Sequence, residues 1–232
     1  ELNLIAAHLD HQWRQESHKD EKFCANLCKK LDIKFVSQQA SNIKITKKSQ
    51  SKEDLGRLLR RKFFENIGQE YKANLIALAH HSDDQIETFF IRLIRGAGVS
   101  GLSGIRSQNG LYIRPLLDIS KQEILEFLDK NKIKYLQDPT NLTNDFLRNK
   151  IRNLLIPEIK KIDSRSENNI LKAIYNLQET DSFLEKLTEN SFKNISTENL
   201  DKNISIDIKK FFLLDEFIQD RVILLWLCKE KV

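Results

Sequence analysis

Residues 74–95 read NLIALAHHSDDQIETFFIRLIR, and this stretch decides the fold. The apolar run Asn74–Ala79 is typical of a buried β-strand, whereas the segment from Ser82 to Arg95 carries its apolar residues on one helical face. The polar residues His80–Gln85 lie between the two. A strand that passes through a polar turn directly into a helix is the basic unit of an α/β domain.

The same alternation extends in both directions from this unit. It predicts further strands at Leu2–Leu9, Lys34–Gln38 and Leu111–Leu117, the last of them broken by Pro115. It also predicts further helices at Glu16–Leu31, Ser51–Tyr71 and Lys121–Lys132. The predicted fold class is therefore α/β, a Rossmann-like parallel sheet flanked by helices, followed by a mainly helical segment. In that segment we predict helices at Asn168–Phe192 and Phe211–Cys228, with a polar stretch at 194–205.

The composition is that of an ordinary globular protein, with 40% hydrophobic and 31% charged residues. No apolar run approaches the roughly 18–20 residues needed to cross a bilayer, and we expect a cytoplasmic protein. The formal net charge of +5 permits a polyanionic partner, although a coding bias towards Lys, Asn and Ile would give the same charge. Cys24 and Cys28 have an x3 spacing, which favours reduced thiols over a zinc or redox pair.

Polar clusters follow two of the predicted strands. One is His8–His11, and the other is His80–Gln85 with Glu87. The carboxyl ends of parallel strands form the ligand-binding edge of such sheets. Asp83, Asp84 and Glu87 supply oxygen ligands of the kind that Mg²⁺ prefers, and a helix start favours phosphate. The pattern predicts a magnesium–nucleotide site, with turn and helix-capping residues as the plain alternative.

The segment Gly96–Gly101 fits the G-x-G-x-x-G dinucleotide fingerprint by its letters alone. That fingerprint must follow a strand and open a helix, whereas this one follows the helix ending at Arg95. A nicotinamide or flavin site is therefore disfavoured. A helix C-terminal turn and a close-approach loop for another ligand both remain open.

Five motifs, in this order, resemble those of the tRNA(Ile)-lysidine synthetases, ATP-dependent ligases of the PP-loop group. They are HLDHQWRQES (His8–Ser17), E-x2-G-R-x2-R (Glu53–Arg60), HHSDDQIETFFIRLIRGAGVSGLSGI (His80–Ile105), IRPLL (Ile113–Leu117) and DPTN…FLRNKIRNLLIP (Asp138–Pro157). The sequence departs from the family at Gly56, where Ala is usual, and at Arg61, where Tyr is usual.

The resemblance implies a two-step reaction. ATP adenylates the C2 oxygen of the wobble cytidine in a tRNA(Ile) with a CAU anticodon, and the ε-amine of free L-lysine then displaces AMP to give lysidine. ATP and Mg²⁺ are the implied cofactors, and a homodimer is left open. The resemblance also implies a PP-loop catalytic domain over residues 1–160, then a helical linker and the start of a second, substrate-binding domain over 161–232.

The family's Ser-Gly-Gly-x-Asp-Ser loop, which wraps the ATP pyrophosphate, would precede Leu2 and is not in these residues. We therefore expect the chain to begin inside the catalytic domain. On its own it is expected not to complete lysidine synthesis, because the main cradle for pyrophosphate is missing.

Four kinds of site residue are predicted. The catalytic residues are Asp83, Asp84, His81 and Arg57; the nucleotide-binding residues are Ala7, His8, Arg57, Arg60 and Gly96; the tRNA-binding residues are Arg114, Asn141, Arg148 and Arg152; and the metal ligands are Asp84 and Glu87. For the arginines, the plain alternative is a solvated basic face.

Three rival functions remain open. The histidines of the two polar clusters permit a metal-dependent hydrolase. A PP-loop tRNA thiolase is disfavoured, because thiolases with an iron–sulfur cluster need a Cys-x2-Cys pair that these residues lack. The third rival is an RNA-binding fragment without activity of its own.

Overall fold

The computed structural model describes residues 2–14, 16–45, 52–137, 143–144, 146–198 and 204–230, with the backbone alone at 52, 53 and 230. The strands are β1 (Ile5–Asp10), β2 (Lys34–Gln39), β3 (Ile76–Ala77), β4 (Gln108–Asn109), β5 (Tyr112–Ile113), β6 (Ser196–Glu198) and β7 (Ile204–Ile206). The helices are α1 (Ser17–Lys30), α2 (Lys52–Glu70), α3 (Ser82–Ile94), α4 (Val99–Leu102), α5 (Lys121–Lys130), α6 (Leu147–Lys150), α7 (Ile156–Ile162), α8 (Ser166–Ile195), α9 (Ile208–Phe211) and α10 (Glu216–Glu230).

The chain forms two compact units that interleave along the sequence. The first unit comprises Glu1–His80, Ser107–Asp118 and Gln122–Asp138, and the second comprises His81–Arg106, Ile119–Lys121 and Pro139–Val232. The predicted division at residue 160 remains a prediction.

In the first unit, β1 and β2 form a parallel pair whose register runs from Ile5↔Lys34 to Asp10↔Gln39. Helix α1 packs on both strands and α2 packs on β1. Leu9, Leu59 and Phe63 are buried in the core between strand and helix. The predicted parallel sheet flanked by helices is confirmed. The predicted strand at Leu2–Leu9 is displaced towards its carboxyl end, because pairing with β2 begins only at Ile5.

A second sheet in the first unit has the order β3-β5-β4. Strands β3 and β5 are parallel, and β4 runs antiparallel to β5. The predicted strands at 74–79 and 111–117 are each reduced to two paired residues. Beyond Ile113 the prediction was wrong, because Pro115 has no N–H for a ladder and the Leu117 N–H bonds to the Arg114 carbonyl in a turn.

The second unit is mainly helical, as predicted, and α8 is its longest element at 30 residues. Its core contains Phe192, Ile195, Phe211 and Val222. Within 194–205, however, β6 and β7 form an antiparallel hairpin that sequence reasoning missed. The helix predicted at Phe211–Cys228 is two helices, because the Asp215 carboxylate accepts the Phe217 N–H at 2.9 Å and starts α10 anew.

No helix in the described ranges is both long and apolar enough to span a membrane.

Candidate functional site

The start of α3 gathers three of the predicted catalytic residues. His81 is extended, with φ −126° and ψ 179°, and its N–H donates to the Asp84 carboxylate at 3.0 Å. That carboxylate caps the helix and is stabilised by the helix dipole. Asp83 accepts the backbone N–H of Lys121, which begins α5, at 3.1 Å. The polar turn seen in the sequence therefore fixes the beginnings of two helices.

The His81 imidazole lies between two carboxylates. Its Nε2 is 3.5 Å from an Asp84 oxygen, and its Nδ1 is 3.7 Å from an Asp83 oxygen. Nδ1 is buried and has no hydrogen-bond partner among the residues that the structure describes. The ring therefore lies between the two carboxylates, and neither of these distances is that of a normal hydrogen bond.

Glu87 lies one turn further along α3, with a side chain only 1% exposed. Arg148 Nε donates to one Glu87 oxygen at 2.6 Å, and Arg152 Nε donates to the other at 2.5 Å. Arg148 also donates to Asp84 at 2.7 Å. The hydrogen bond to Glu87 raises the pKa of Arg152 above its usual value. The two arginines thus neutralise buried acidic charge.

This geometry bears on two predicted roles. In this arrangement Glu87 does not fit a magnesium ligand, since both of its oxygens already accept hydrogen bonds from guanidinium groups. Among the described residues, no group of three His, Cys, Asp or Glu side chains is arranged to hold a metal ion. Contacts of Arg148 and Arg152 with tRNA stay a prediction, and the structure adds a second role for both side chains as partners of α3.

The glycine-rich loop follows α3 rather than a strand, as the sequence indicated. Gly96 has φ +74°, and its N–H and that of Ala97 bond to the carbonyls of Leu93 and Arg92 at 3.0 Å. These bonds form a helix C-terminal turn that requires the left-handed conformation of glycine. A nucleotide contact at Gly96 stays a prediction.

Side chains from two helices hold this loop. Arg92 of α3 donates to the carbonyls of Gly101 and Gly104 at 2.7 and 2.8 Å. The Gln85 amide makes two hydrogen bonds with the Ile105 backbone, at 2.7 and 2.6 Å. From α8, Gln178 donates to the Ser103 carbonyl at 2.8 Å. The loop is therefore fixed by side-chain hydrogen bonds.

Asp181 of α8 organises a further buried cluster that sequence reasoning missed. Its side chain is 2% exposed and accepts from Ser100 at 2.5 Å, Arg106 at 3.0 Å and Arg221 at 3.1 Å. Burial by itself raises the pKa of Asp181, but the hydrogen bonds from Ser100, Arg221 and Arg106 together hold it below its usual value. Arg106 also pairs with Glu185. The carboxylate therefore joins α4, α8 and α10.

A sequence signal for Asp181 exists in the spacing of α8. Among its buried residues are Ile174, Asp181, Thr188 and Ile195, which recur every seven residues. An acidic residue on the apolar stripe of a helix must find a buried partner.

Apart from Asn141, the remaining predicted residues lie in the first unit. Ala7 and His8 are on β1, opposite Val36 and Ser37 of β2. Arg57 and Arg60 are exposed on α2. Arg114 follows β5, and burial together with the nearby Arg57 charge holds its pKa below the usual value. Arg57 and Arg114 are thus brought together, and their roles stay predictions.

His11 joins this basic region. Arg60 approaches its Nε2 at 3.4 Å, and the ring stacks on Trp13 with centroids 4.6 Å apart. Burial, and then the Arg60 charge, lowers the pKa of His11 below its ordinary value of 6.5. Asn141, predicted to contact tRNA, lies outside the described residues.

The chain is similar to proteins of known name. The chain is 39% identical over 225 residues to the tRNA(Ile)-lysidine synthase of Clostridium acetobutylicum, a match that covers 95% of this chain and 48% of that protein. The synthase of Bacteroides thetaiotaomicron is 37% identical over 213 residues, covering 91% of this chain and 48% of the relative. The chain spans about half the length of these curated relatives.

A solved structure with the same fold is the U34-tRNA thiolase NcsA from Methanococcus maripaludis with its [4Fe-4S] cluster. It superposes with a TM-score of 0.61 at 19% identity, covering 76% of this chain and 63% of the thiolase. The sequence profile of the PP-loop domain family matches residues 1–159. That match covers most of the chain and includes β1, α2 and the polar turn before α3, so the chain belongs to the PP-loop domain family.

Proposed function

We propose that this chain supplies catalytic residues for lysidine synthesis, the ATP-dependent ligation of L-lysine to C2 of the wobble cytidine in a tRNA(Ile) with a CAU anticodon. The observation that carries the proposal is similarity to tRNA(Ile)-lysidine synthases along 95% of the chain. The thiolase likeness concerns the fold. The described residues contain no group of three His, Cys, Asp or Glu side chains that could hold a metal ion, so they offer no support for a metal-dependent hydrolase.

The proposed reaction has two steps. The C2 oxygen of the cytidine attacks the α-phosphorus of ATP, and pyrophosphate leaves. The lysine amine nitrogen then bonds to C2, the C2–O bond breaks, AMP leaves, and one proton is lost from nitrogen. We assign acceptance of that proton to His81, because its imidazole is held between Asp83 and Asp84.

Nucleotide binding is supported by the start of α3, where the backbone N–H groups and the helix dipole favour phosphate. We propose that Mg²⁺ binds together with ATP. Glu87 is not proposed as its ligand, because both Glu87 oxygens accept hydrogen bonds from arginines. A contact between Mg²⁺ and Asp84 remains part of the proposal, as does the catalytic role of Arg57. A cytoplasmic location and a homodimer remain predictions.

The test is an activity assay of the natural protein that contains this sequence. It is incubated with ATP, Mg²⁺, L-lysine and tRNA(Ile), and pyrophosphate release and lysidine are measured. Asp84→Asn is expected to reduce adenylation about 100-fold or more, the size expected for loss of a transition-state contact. Loss of the cap should reduce stability by only about 1 kcal/mol.

Asp129→Asn, an exposed position on α5, is the matched control and should retain full activity. If the Asp84→Asn variant adenylated tRNA at the normal rate, the proposed role of Asp84 in catalysis would be wrong. Absence of lysidine from the reaction of the unaltered protein would overturn the proposed function itself.

A further inference from the structure

The loop after β1 places two aromatic rings side by side. Asp10 accepts the Gln12 N–H at 2.8 Å, and Gln12 adopts a left-handed φ of 57°. This tight turn brings the rings of His11 and Trp13 together, with centroids 4.6 Å apart and planes inclined by 29°. Arg14 pairs with Asp20 of α1 and secures the far end of the loop. The stack is therefore preorganised by its own backbone.

Helix α2 fixes the indole from a second side. A Cβ built at Gly56 would lie 2.4 Å from the Trp13 ring, so any side chain at position 56 would displace that ring. Gly68 on the same helix is different, since its nearest neighbour, Ile76, would be 3.5 Å away. His11 covers one face of the indole and Gly56 adjoins its edge, yet Trp13 remains 45% exposed. The geometry holds a large aromatic surface at the solvent boundary.

Two arginines of α2 adjoin this stack, one by contact and one by its position next to Gly56. Arg60 points a guanidinium nitrogen at His11, and Arg57 adjoins Gly56 in the sequence. Neither arginine has a carboxylate partner within the ranges that the structure describes. An exposed aromatic ring beside arginines that lack acidic partners is the combination with which proteins bind single-stranded nucleic acid.

We propose that the half-exposed ring of Trp13 stacks on an unpaired nucleobase, with Arg57 and Arg60 supplying charge for the adjoining phosphates. The proposal rests on the proposed function for its ligand, which we take to be an unpaired base of tRNA. A free nucleotide offers the same ring chemistry, so the experiment distinguishes the two sources.

Tryptophan fluorescence tests the stack directly, because the chain has only two tryptophans. The second, Trp226, donates its indole N–H to the Ile204 carbonyl in the second unit and serves as an internal reference. An RNA hairpin with a CAU loop is titrated into the 232-residue chain and into Trp13→Leu. We expect quenching in the unaltered chain and none in Trp13→Leu. Affinity, measured separately by anisotropy of labelled RNA, should fall about tenfold.

Two glycine variants of α2 control for loss of RNA binding that is caused by misfolding. Gly56→Ala removes no group but displaces the indole, and it should weaken RNA binding about as much as Trp13→Leu. Gly68→Ala makes the same change in the same helix without touching Trp13, and it should bind RNA normally. Melting curves of the two variants show whether both remain folded.

Each outcome decides the proposal. Equal RNA affinity of the unaltered chain, Trp13→Leu and Gly56→Ala overturns it, and the proposed function then survives on the anisotropy signal. Equal quenching by double-stranded RNA, whose bases are already stacked, also overturns it. Quenching by ATP and not by the hairpin supports stacking and assigns the site to a nucleotide. Absence of both RNA binding and ATP quenching overturns the stack and removes support for the proposed function together.

Discussion

Two groups of arginines, one in each unit, have opposite environments. In the second unit, Arg148 and Arg152 donate to Glu87, and Arg221 donates to Asp181. In the first unit, Arg57 and Arg60 have no carboxylate partner among the described residues. Four of them, all but Arg221, lie in similar basic stretches of the sequence. The difference teaches that the burial of a neighbouring acid, more than the density of basic residues, separates a structural arginine from one available to a ligand.

The physical reason lies with the acids. Glu87 and Asp181 are buried residues of α3 and α8, and an unpaired charge in that position is strongly destabilising. The arginines that pair with these two acids are therefore needed for the stability of the fold. Arginines on an exposed helix surface are not needed to neutralise a buried charge. Isolated ion pairs on the surface contribute little to the free energy of unfolding.

The sharpest test of this contrast removes both partners of Glu87. Arg148→Ala combined with Arg152→Ala leaves a buried carboxylate unpaired and should lower the free energy of unfolding by about 3–5 kcal/mol. Urea denaturation measures the loss. Lys150→Ala, an exposed position on α6 between the two arginines, is the control and should change stability by no more than about 0.5 kcal/mol. If the free energy of unfolding of the double variant fell by less than about 1 kcal/mol, both arginines would count as available to a ligand rather than as structural.

Asp181→Ala is expected to have the next largest effect. It removes the shared acceptor of Ser100, Arg106 and Arg221 and should lower stability by about 3 kcal/mol. Glu185→Ala removes the 44% exposed partner of the same Arg106 and should change stability by no more than about 1 kcal/mol. Similar losses for the two variants would show that burial of the acid is not the deciding quantity.

In the first unit the effect should appear in binding rather than in folding. Arg57→Ala and Arg60→Ala should each reduce the salt slope of RNA binding by about one unit. Stability should change by no more than about 0.5 kcal/mol. Arg61→Ala, which removes a charge paired with Glu65 at 2.9 Å on the same helix, should leave the slope nearly unchanged. If all three variants behave alike, the region is a general basic face.

The smallest effect concerns protonation of His11. Its pKa is lowered below 6.5 by burial and then by Arg60, so the unfolded chain binds a proton more readily than the folded one. The His11 contribution to stability is therefore present above pH 6.5 and declines as the pH falls through that value towards the folded pKa. NMR titration should place the pKa of His11 below 6.5, and Arg60→Gln should raise it. A pKa at or above 6.5 in the unaltered chain contradicts the assigned environment.

Sequence reasoning succeeded where local patterns and the fold agree. The β1-α1-β2-α2 alternation was predicted, and so was the helix start beside Asp84. Failures came where a partner distant in sequence decided the outcome. Asp181 and Ser100 are 81 residues apart, and although the spacing of α8 marks Asp181 as buried, it does not identify Ser100 as the partner.

Two local features were predicted wrongly because their sequences resemble those of other structures. The hairpin of β6 and β7 lies in a polar stretch that looked like a loop, and the turn at Pro115 interrupted an apolar run that looked like a strand. The polar turn before α3 was identified as a cluster, but local patterns do not reveal which of its acids is neutralised by arginine.

Interleaving of the two units has a consequence for the order in which the protein is made. Arg148 follows Glu87 by 61 residues, so at about 5–20 residues per second the ribosome adds it on the order of three to twelve seconds later. During that interval α3 presents an apolar face and an acid without its partners, while segments of the first unit are still being added. Slower translation between these two residues should therefore lengthen the exposure of α3 and lower the yield of native protein.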